Sequence, residues 1–259
     1  MSTKSKKELN YNRRRRFVKG KYGIILLVLL FFLAITIFLL LYTDLFLVNE
    51  IEINGNDYVE DSEILKKSNL EIGMNIFKFN IKKTQSDIIL HPFIKEISIS
   101  RVLPDKISLS IVEREVAAII PFEDGNFLYL DDEGVVVEKS HLLKTYNIPL
   151  ITGLEEISFI VGNTIEISPN WFKNSILNIV LILKENSLLH EISEIQLFED
   201  YNVQLYTNAG SVIKIGNDKI LQGKIEFVKS FISQSQPSVI VDISHGGTPV
   251  YKPRNNQEE

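Results

Sequence analysis

Four histidines, His91, His141, His190 and His245, are the residues best suited to metal binding or proton transfer at neutral pH, and they are scattered along the chain. No two have the spacing that would place both on one helix face, and no His-Glu-x-x-His run is present. Each is expected as a surface or packing residue. His245 follows Ser244, but neighbours in sequence do not make a triad, because nucleophile and base meet in space. Cysteine is absent, which removes thiol nucleophiles, thiolate ligands and disulfides together. Asp131-Asp132-Glu133 could offer oxygens to Ca²⁺, but it lacks the alternating Asp-x-Asp-x-Asp pattern and reads better as a solvated hairpin tip. Gly210 to Gly216 encloses Val and Ile, so it reads as a strand rather than a phosphate cradle. Trp171 is expected in helix packing, with a partner anchor as the second reading. Glu113 and Arg114 point to opposite faces of a strand, one toward an interdomain contact and the other toward solvent. No acid, base and nucleophile constellation emerges, so the expectation is a protein that is not an enzyme and needs no cofactor or metal.

The elements that position these residues are clearer than any chemistry. From Ile97 to Ile111, Ile or Leu alternates with Ser on both sides of Leu103-Pro104-Asp105. This is the period of a hairpin with one buried and one wet face. Ile51 and Ile53 repeat the pattern before a turn at Gly55-Asn56. Between them lie two short helical segments. One starts near Asp61-Ser62, whose side chains can cap it, and the other runs from near Asn80 to His91, where Pro92 disfavours further helix. The order β-α-α-β-β leaves two helices to cover one sheet face and nothing for the other.

Gly23 to Leu41 is a run of 19 residues without a charge, enough to span a bilayer, with Tyr22 and Tyr42 at its ends. It reads as a retained anchor, with a cleaved signal second, since no small-residue cleavage pattern follows. Residues 1–21 carry nine Lys or Arg, including Arg13 to Arg16, against Glu8 alone. The positive-inside rule therefore places the N-terminus in the cytoplasm and the bulk of the chain outside. The whole chain carries −5 and residues 1–21 carry +8, so the remainder carries −13. That balance makes anionic lipid and nucleic acid alike poor partners for the exported part.

Beyond Ile119 the chain reads as strand-rich. Phe127–Leu130 and Val135–Glu138 flank the turn at Asp131 to Gly134. Ser168-Pro169 opens a helix, with Pro at the first position and Phe172, Ile176, Ile179, Val180 and Leu183 as its apolar stripe. Strands follow at Ile195–Phe198, Val203–Tyr206 and Val212–Ile215. A helix then carries Leu221, Ile225, Val228 and Ile232, before a strand at Val239–Ile243. Thr248 to Tyr251 reads as a short last strand with no successor to pair with, hence an edge, and Pro249 suits an edge position. Ile243, Thr248, Val250 and Tyr251 are the expected partner-binding residues.

In order, Gly55-Asn56, Gly73-Met74-Asn75-Ile76-Phe77, Pro92-Phe93-Ile94, Arg101-Val102-Leu103-Pro104 and Val112-Glu113-Arg114 resemble a POTRA domain, in particular that of the FtsQ/DivIB family of bacterial cell-division proteins. Tyr129 to Gly134, Ile148-Pro149-Leu150, Ile213 to Gly216, Val241-Asp242-Ile243 and Val250-Tyr251 are similar to that family's β-domain. Val116 stands where the family often has Pro, and Ser244 and His245 stand where a basic residue and a tyrosine are typical. The resemblance implies an α+β chain with a basic cytoplasmic tail (1–22), one membrane helix (23–43), POTRA (46–117), a larger mixed-sheet β-domain with two helices (118–252) and a disordered tail (253–259). It further implies a divisome scaffold at the septum. Such a scaffold joins FtsB/DivIC-type and FtsL-type single-span proteins and helps regulate the septal peptidoglycan synthase complex, with Tyr251 near the aromatic that the family presents to its FtsB-type partner. A POTRA chaperone of an export or outer-membrane assembly system is the alternative, and no barrel-sized C-terminal region supports it.

Overall fold

The computed structural model describes residues 4–144, 147–234 and 238–254. Helix α1 runs from Lys4 to Tyr42. Within it, Tyr22–Tyr42 is long and apolar enough to cross a bilayer and has no buried residue. At 1.5 Å per residue it measures roughly 30 Å, the thickness of a hydrocarbon core. The chain packs as two units. The first takes residues up to Asn54, Glu60–Asp87 and Ser98–Ser110; the second takes Gly55–Val59, Ile88–Ile97 and the chain from Ile111 onward.

β1 (Glu50–Asn54), α2 (Asp61–Ser68), α3 (Ile81–Ile88), β2 (Ile94–Val102) and β3 (Lys106–Glu113) follow the expected β-α-α-β-β order. The sheet order is β1-β3-β2. β1 runs parallel to β3, with Ile51 opposite Ile107 and Ile53 opposite Leu109. Ile99, Ile107 and Leu109 are buried while Ser98, Ser100 and Ser110 are exposed, as the alternation requires. Ile51 and Ile53 are only half-buried, because β1 is an edge of this sheet. Glu60, not Asp61 or Ser62, is the N-cap of α2, and it makes no side-chain cap bond. Asn80 does cap α3, its Oδ1 accepting the Lys83 N–H at 3.2 Å. That helix ends at Ile88, three residues before His91.

The segment Gly73 to Phe77 has a role that its sequence does not announce. Asn75 is buried, and its Nδ2 donates to the carbonyls of Leu40 at 3.0 Å and Leu41 at 3.3 Å. These are among the last carbonyls of α1, which lack partners within the helix. Asn75 therefore closes the end of the apolar helix.

In the second unit, β4 (Val116–Phe122), β5 (Asn126–Asp131), β6 (Val136–Ser140) and β7 (Leu150–Thr152) come first. A two-stranded ribbon of β8 (Glu156–Ser158) and β9 (Glu166–Ser168) follows, and then α4 (Asn170–Glu185). Next come β10 (Ile192–Leu197), β11 (Val203–Thr207), β12 (Val212–Gly216), α5 (Asp218–Gly223), α6 (Ile225–Ser233), β13 (Val239–Asp242) and β14 (Val250–Pro253). Apart from the ribbon, the strands form one mixed sheet in the order β14-β13-β12-β11-β10-β7-β4-β5-β6. The α4 stripe of Phe172, Ile176, Ile179, Val180 and Leu183 packs with Leu128, Ile151, Ile195, Leu205 and Ile213 in the main core. Ile119, Tyr129, Val137 and Ile148 make a smaller core. Ile119 and Ile120 enter different cores because successive strand residues face opposite ways.

Several boundaries differ from the sequence expectation. Pro169 is the N-cap of α4 rather than its first residue, in extended geometry that proline tolerates. The helix expected through Leu221 and Ile232 breaks at Lys224, and Phe231 is more deeply buried than Ile232. The last strand begins at Val250 and includes Lys252 and Pro253, so residue 253 is strand rather than disordered tail; residues 255–259 of that tail lie outside the described residues.

Candidate functional site

β14 is the end strand of the large sheet, paired only with β13. The pairing is antiparallel, with Asp242 opposite Val250, Val241 opposite Tyr251 and Ile240 opposite Lys252. The Arg254 N–H donates to the Ser238 carbonyl at 2.8 Å. Backbone groups alternate sides along a strand, so Lys252 and Val250 also face β13 while Tyr251 faces outward. Residues 249 and 253 share the outward phase, and both are proline. Over residues 249–253 the free edge therefore offers three carbonyls but one N–H, that of Tyr251.

The side chains add an aromatic patch. The Tyr251 ring lies 6.4 Å from Phe227 and 6.3 Å from Phe231, both on α6. Tyr251 nevertheless remains 53% exposed, and Val250 is 44% exposed. Two cations hold the strand in place. Lys224 Nζ donates to the His245 and Gly247 carbonyls at 2.9 and 3.0 Å, fixing the loop before β14. Arg254 donates to the Gly210 carbonyl at 3.0 Å and lies over the Tyr206 ring. A frayed terminus would have no such anchors.

Of the four expected contact residues, the structure brings Val250 and Tyr251 onto this edge. Thr248 is exposed but sits in the bend before the strand. Ile243 is wholly buried in the main core, so its side chain is not on the surface. Phe227 and Phe231 were missed. Their i, i+4 spacing was visible, but which strand would lie beside them was not.

The acidic turn between β5 and β6 is an ion-pair cluster. Arg114 Nη1 reaches Asp131 Oδ2 at 2.5 Å and Glu133 Oε2 at 3.0 Å. Lys95 pairs with Asp132 and Glu133, and Lys184 with Asp132 and Glu115. Asp131 also accepts the N–H groups of Glu133 and Val135. These carboxylates are thus occupied by cations. Glu113 is not given to solvent either, since it accepts the N–H groups of Asp57, Tyr58 and Val59 at 3.0, 2.8 and 2.8 Å. Trp171 stacks with Phe172 and Tyr201 and acts in packing. Among the described residues, no group of three His, Asp or Glu is placed to hold a metal.

The cluster sets an acid limit on stability. The hydrogen bond from Arg114, followed by that from Lys95, holds Glu133 below its ordinary range. Burial pushes Asp132 up, but Lys184 and Lys95 outweigh it and leave the group lowered. A carboxylate lowered in the folded state stabilises above its unfolded pKa and loses that contribution as pH falls through the folded value. The melting temperature is expected to decline on acidification below about pH 4.5, the ordinary value for Glu. Asp132→Asn with Glu133→Gln should flatten that decline; an acid limb of unchanged steepness would show that other carboxylates set it.

Two comparisons decide the family. Residues 46–114 match "POTRA domain, FtsQ-type", and residues 118–244 match "Cell division protein FtsQ/DivIB, C-terminal". The chain belongs to the FtsQ/DivIB family of bacterial cell-division proteins. It is similar to the cell division protein DivIB of Clostridium botulinum strain Hall, 26% identical over 247 residues that cover 94% of each chain. It is 28% identical to DivIB of Clostridium tetani over 211 residues, 79% of this chain and 78% of that one. FtsQ of Syntrophotalea carbinolica is 26% identical over 183 residues, 70% and 63% of the two chains. In this FtsQ/DivIB chain the POTRA match encloses β1 to β3 with α2 and α3, and the C-terminal match runs from β4 through β13. β14 lies beyond that match, beginning at Val250.

Proposed function

We propose that this division protein is a non-enzymatic scaffold that captures a partner on the β14 edge. The partner is an FtsB/DivIC-type single-span protein, joined by an FtsL-type protein, and the assembly regulates the septal peptidoglycan synthase complex at the division site. The observation that carries the reading is an anchored, exposed edge strand whose one outward N–H belongs to a half-exposed tyrosine. An extended segment can add to such an edge, with the backbone supplying affinity and alternate side chains supplying specificity. Tyr251 is the anchor, since buried aromatics dominate interface energies. In this reading the POTRA domain spans 46–117 and the β-domain starts at 118. Residues 1–22 lie in the cytoplasm, and the bulk of the chain lies outside the plasma membrane.

The test uses the full chain in detergent and the exported segment of an FtsB/DivIC-type protein. Tyr251→Ala should weaken binding at least tenfold, the loss of about 1.4 kcal/mol or more expected for a hot-spot aromatic. Tyr251→Pro keeps the pairing with β13 but removes the outward N–H, and it should weaken binding beyond Tyr251→Ala. Equal binding by the Ala and Pro variants would rule out strand addition. Orientation is checked separately with a reporter fused after Glu259, expected to be active only outside the cytoplasm; a cytoplasmic signal would reverse the topology.

A further inference from the structure

The first unit carries a feature that partner capture does not use. A shallow, open surface depression of about 430 Å³ is lined by Lys78, Phe79, Asn80, Ile81, Lys82 and Arg101. It holds three cations and no acid, in a chain whose residues after 21 carry −13. By contrast, Lys95, Lys106 and Lys184 each sit between two carboxylates. Among the described residues, Lys78, Lys82 and Arg101 make no ion pair.

The position of the depression is fixed relative to α1. Asn75 bonds the last carbonyls of the apolar helix, and the Lys78 N–H donates to the Asn75 carbonyl at 3.0 Å. Lys78 Nζ lies 5.1 Å from the centre of the Tyr42 ring. Tyr42 is the last residue of the span, so Lys78 stands at the level where lipid phosphates lie. Exposed Leu45, three residues on, is apolar at the same level. Arg101 forms a rigid wall: its Nε donates to the Ile76 carbonyl at 2.7 Å, its Nη2 to the Phe79 carbonyl at 2.9 Å, and its guanidinium lies 4.6 Å from the Phe79 ring.

We infer that this depression binds the phosphate of an anionic lipid headgroup in the outer leaflet of the membrane that α1 spans. The inference rests on the anchored reading of α1 and adds a ligand to it. A free phosphate shares the chemistry, but the fixed position beside Tyr42 favours a phosphate supplied by the bilayer. The headgroup would lie between Lys78, Lys82 and the preset Arg101, holding the first unit to the membrane surface.

The experiment follows thermal melting of the full chain in neutral detergent while phosphatidylglycerol, phosphatidylcholine or inorganic phosphate is added. Phosphatidylglycerol should raise the melting temperature and phosphatidylcholine should not. Lys78→Gln with Lys82→Gln should need roughly thirty-fold more phosphatidylglycerol, since two lysines near an anionic surface contribute about 1 kcal/mol each. The basic tail is identical in both proteins, so superimposable curves would assign the effect to the tail and overturn the proposal. An equal shift from inorganic phosphate would overturn the assignment to lipid. Flotation of the chain with vesicles after an alkaline wash tests the anchor itself: release from the vesicles would sink that reading, whereas retention with superimposable melting curves would sink the lipid site alone.

Discussion

Leu109→Asp is expected to unfold the β-α-α-β-β unit, while Ser108→Asp should leave it folded. Leu109 is wholly buried on β3, the middle strand, opposite Ile53. Replacing it forfeits about 2–3 kcal/mol of apolar burial and leaves an unpaired carboxylate where no water or cation can reach it, which costs several kcal/mol more. The sum is comparable to the whole stability of a small domain, which lies at roughly 5–15 kcal/mol. Ser108 is one residue away on the other face, opposite Glu52. An Asp there meets a like charge at a cost of about 1 kcal/mol or less, and Lys106, already 2.9 Å from Glu52, offsets part of it. Thermal melting of the two variants in the full chain checks the pair. Equal stabilities would mean that the register of β3 is wrong by one residue.

Gly153→Ala is the second large effect, expected at about 2–5 kcal/mol. Gly153 leaves β7 with φ +82, and a Cβ there would sit 2.0 Å from the Leu197 carbonyl oxygen at the end of β10. A left-handed residue with a side chain costs about 1–2 kcal/mol, and a clash with a fixed backbone atom adds about 1–3 kcal/mol. Leu197 cannot retreat easily, because it is buried and paired with Val203. Gly210 isolates the first cost from the second. It has φ +87, but nothing lies within 4 Å of its Cβ position. Gly210→Ala should therefore lose only the conformational part. If both variants lost the same stability, the close approach to Leu197 would have no energetic weight.

Much of this fold was legible in the sequence. The alternation around Leu103-Pro104-Asp105, the α4 stripe and the uncharged run after Gly23 all appear as expected, because neighbouring residues alone produce those periods. The candidate site was legible only in part. The strand signal at the chain's end does place Val250 and Tyr251 on an edge strand. Ile243 was misplaced, since periodicity does not say which end of β13 the core covers. Glu113 and Arg114 are expected to divide between an interdomain contact and solvent, yet neither is given to solvent; their partners lie some 55 and 17 residues away and leave no trace nearby.

By itself the sequence determined most of the elements, the apolar span after Gly23 and the charge of its flanks. These depend on residue type and on spacings of a few residues. Only the tertiary structure decided that β14 lies outside β13, which turns Pro249 and Pro253 outward and leaves Tyr251 with the one free N–H. It alone set Phe227 and Phe231 beside that tyrosine, and it alone put Asn75 on the end of α1 and Lys78 over Tyr42. Each is a meeting of distant segments, selected by the packing of the whole unit, and no local pattern encodes such a meeting.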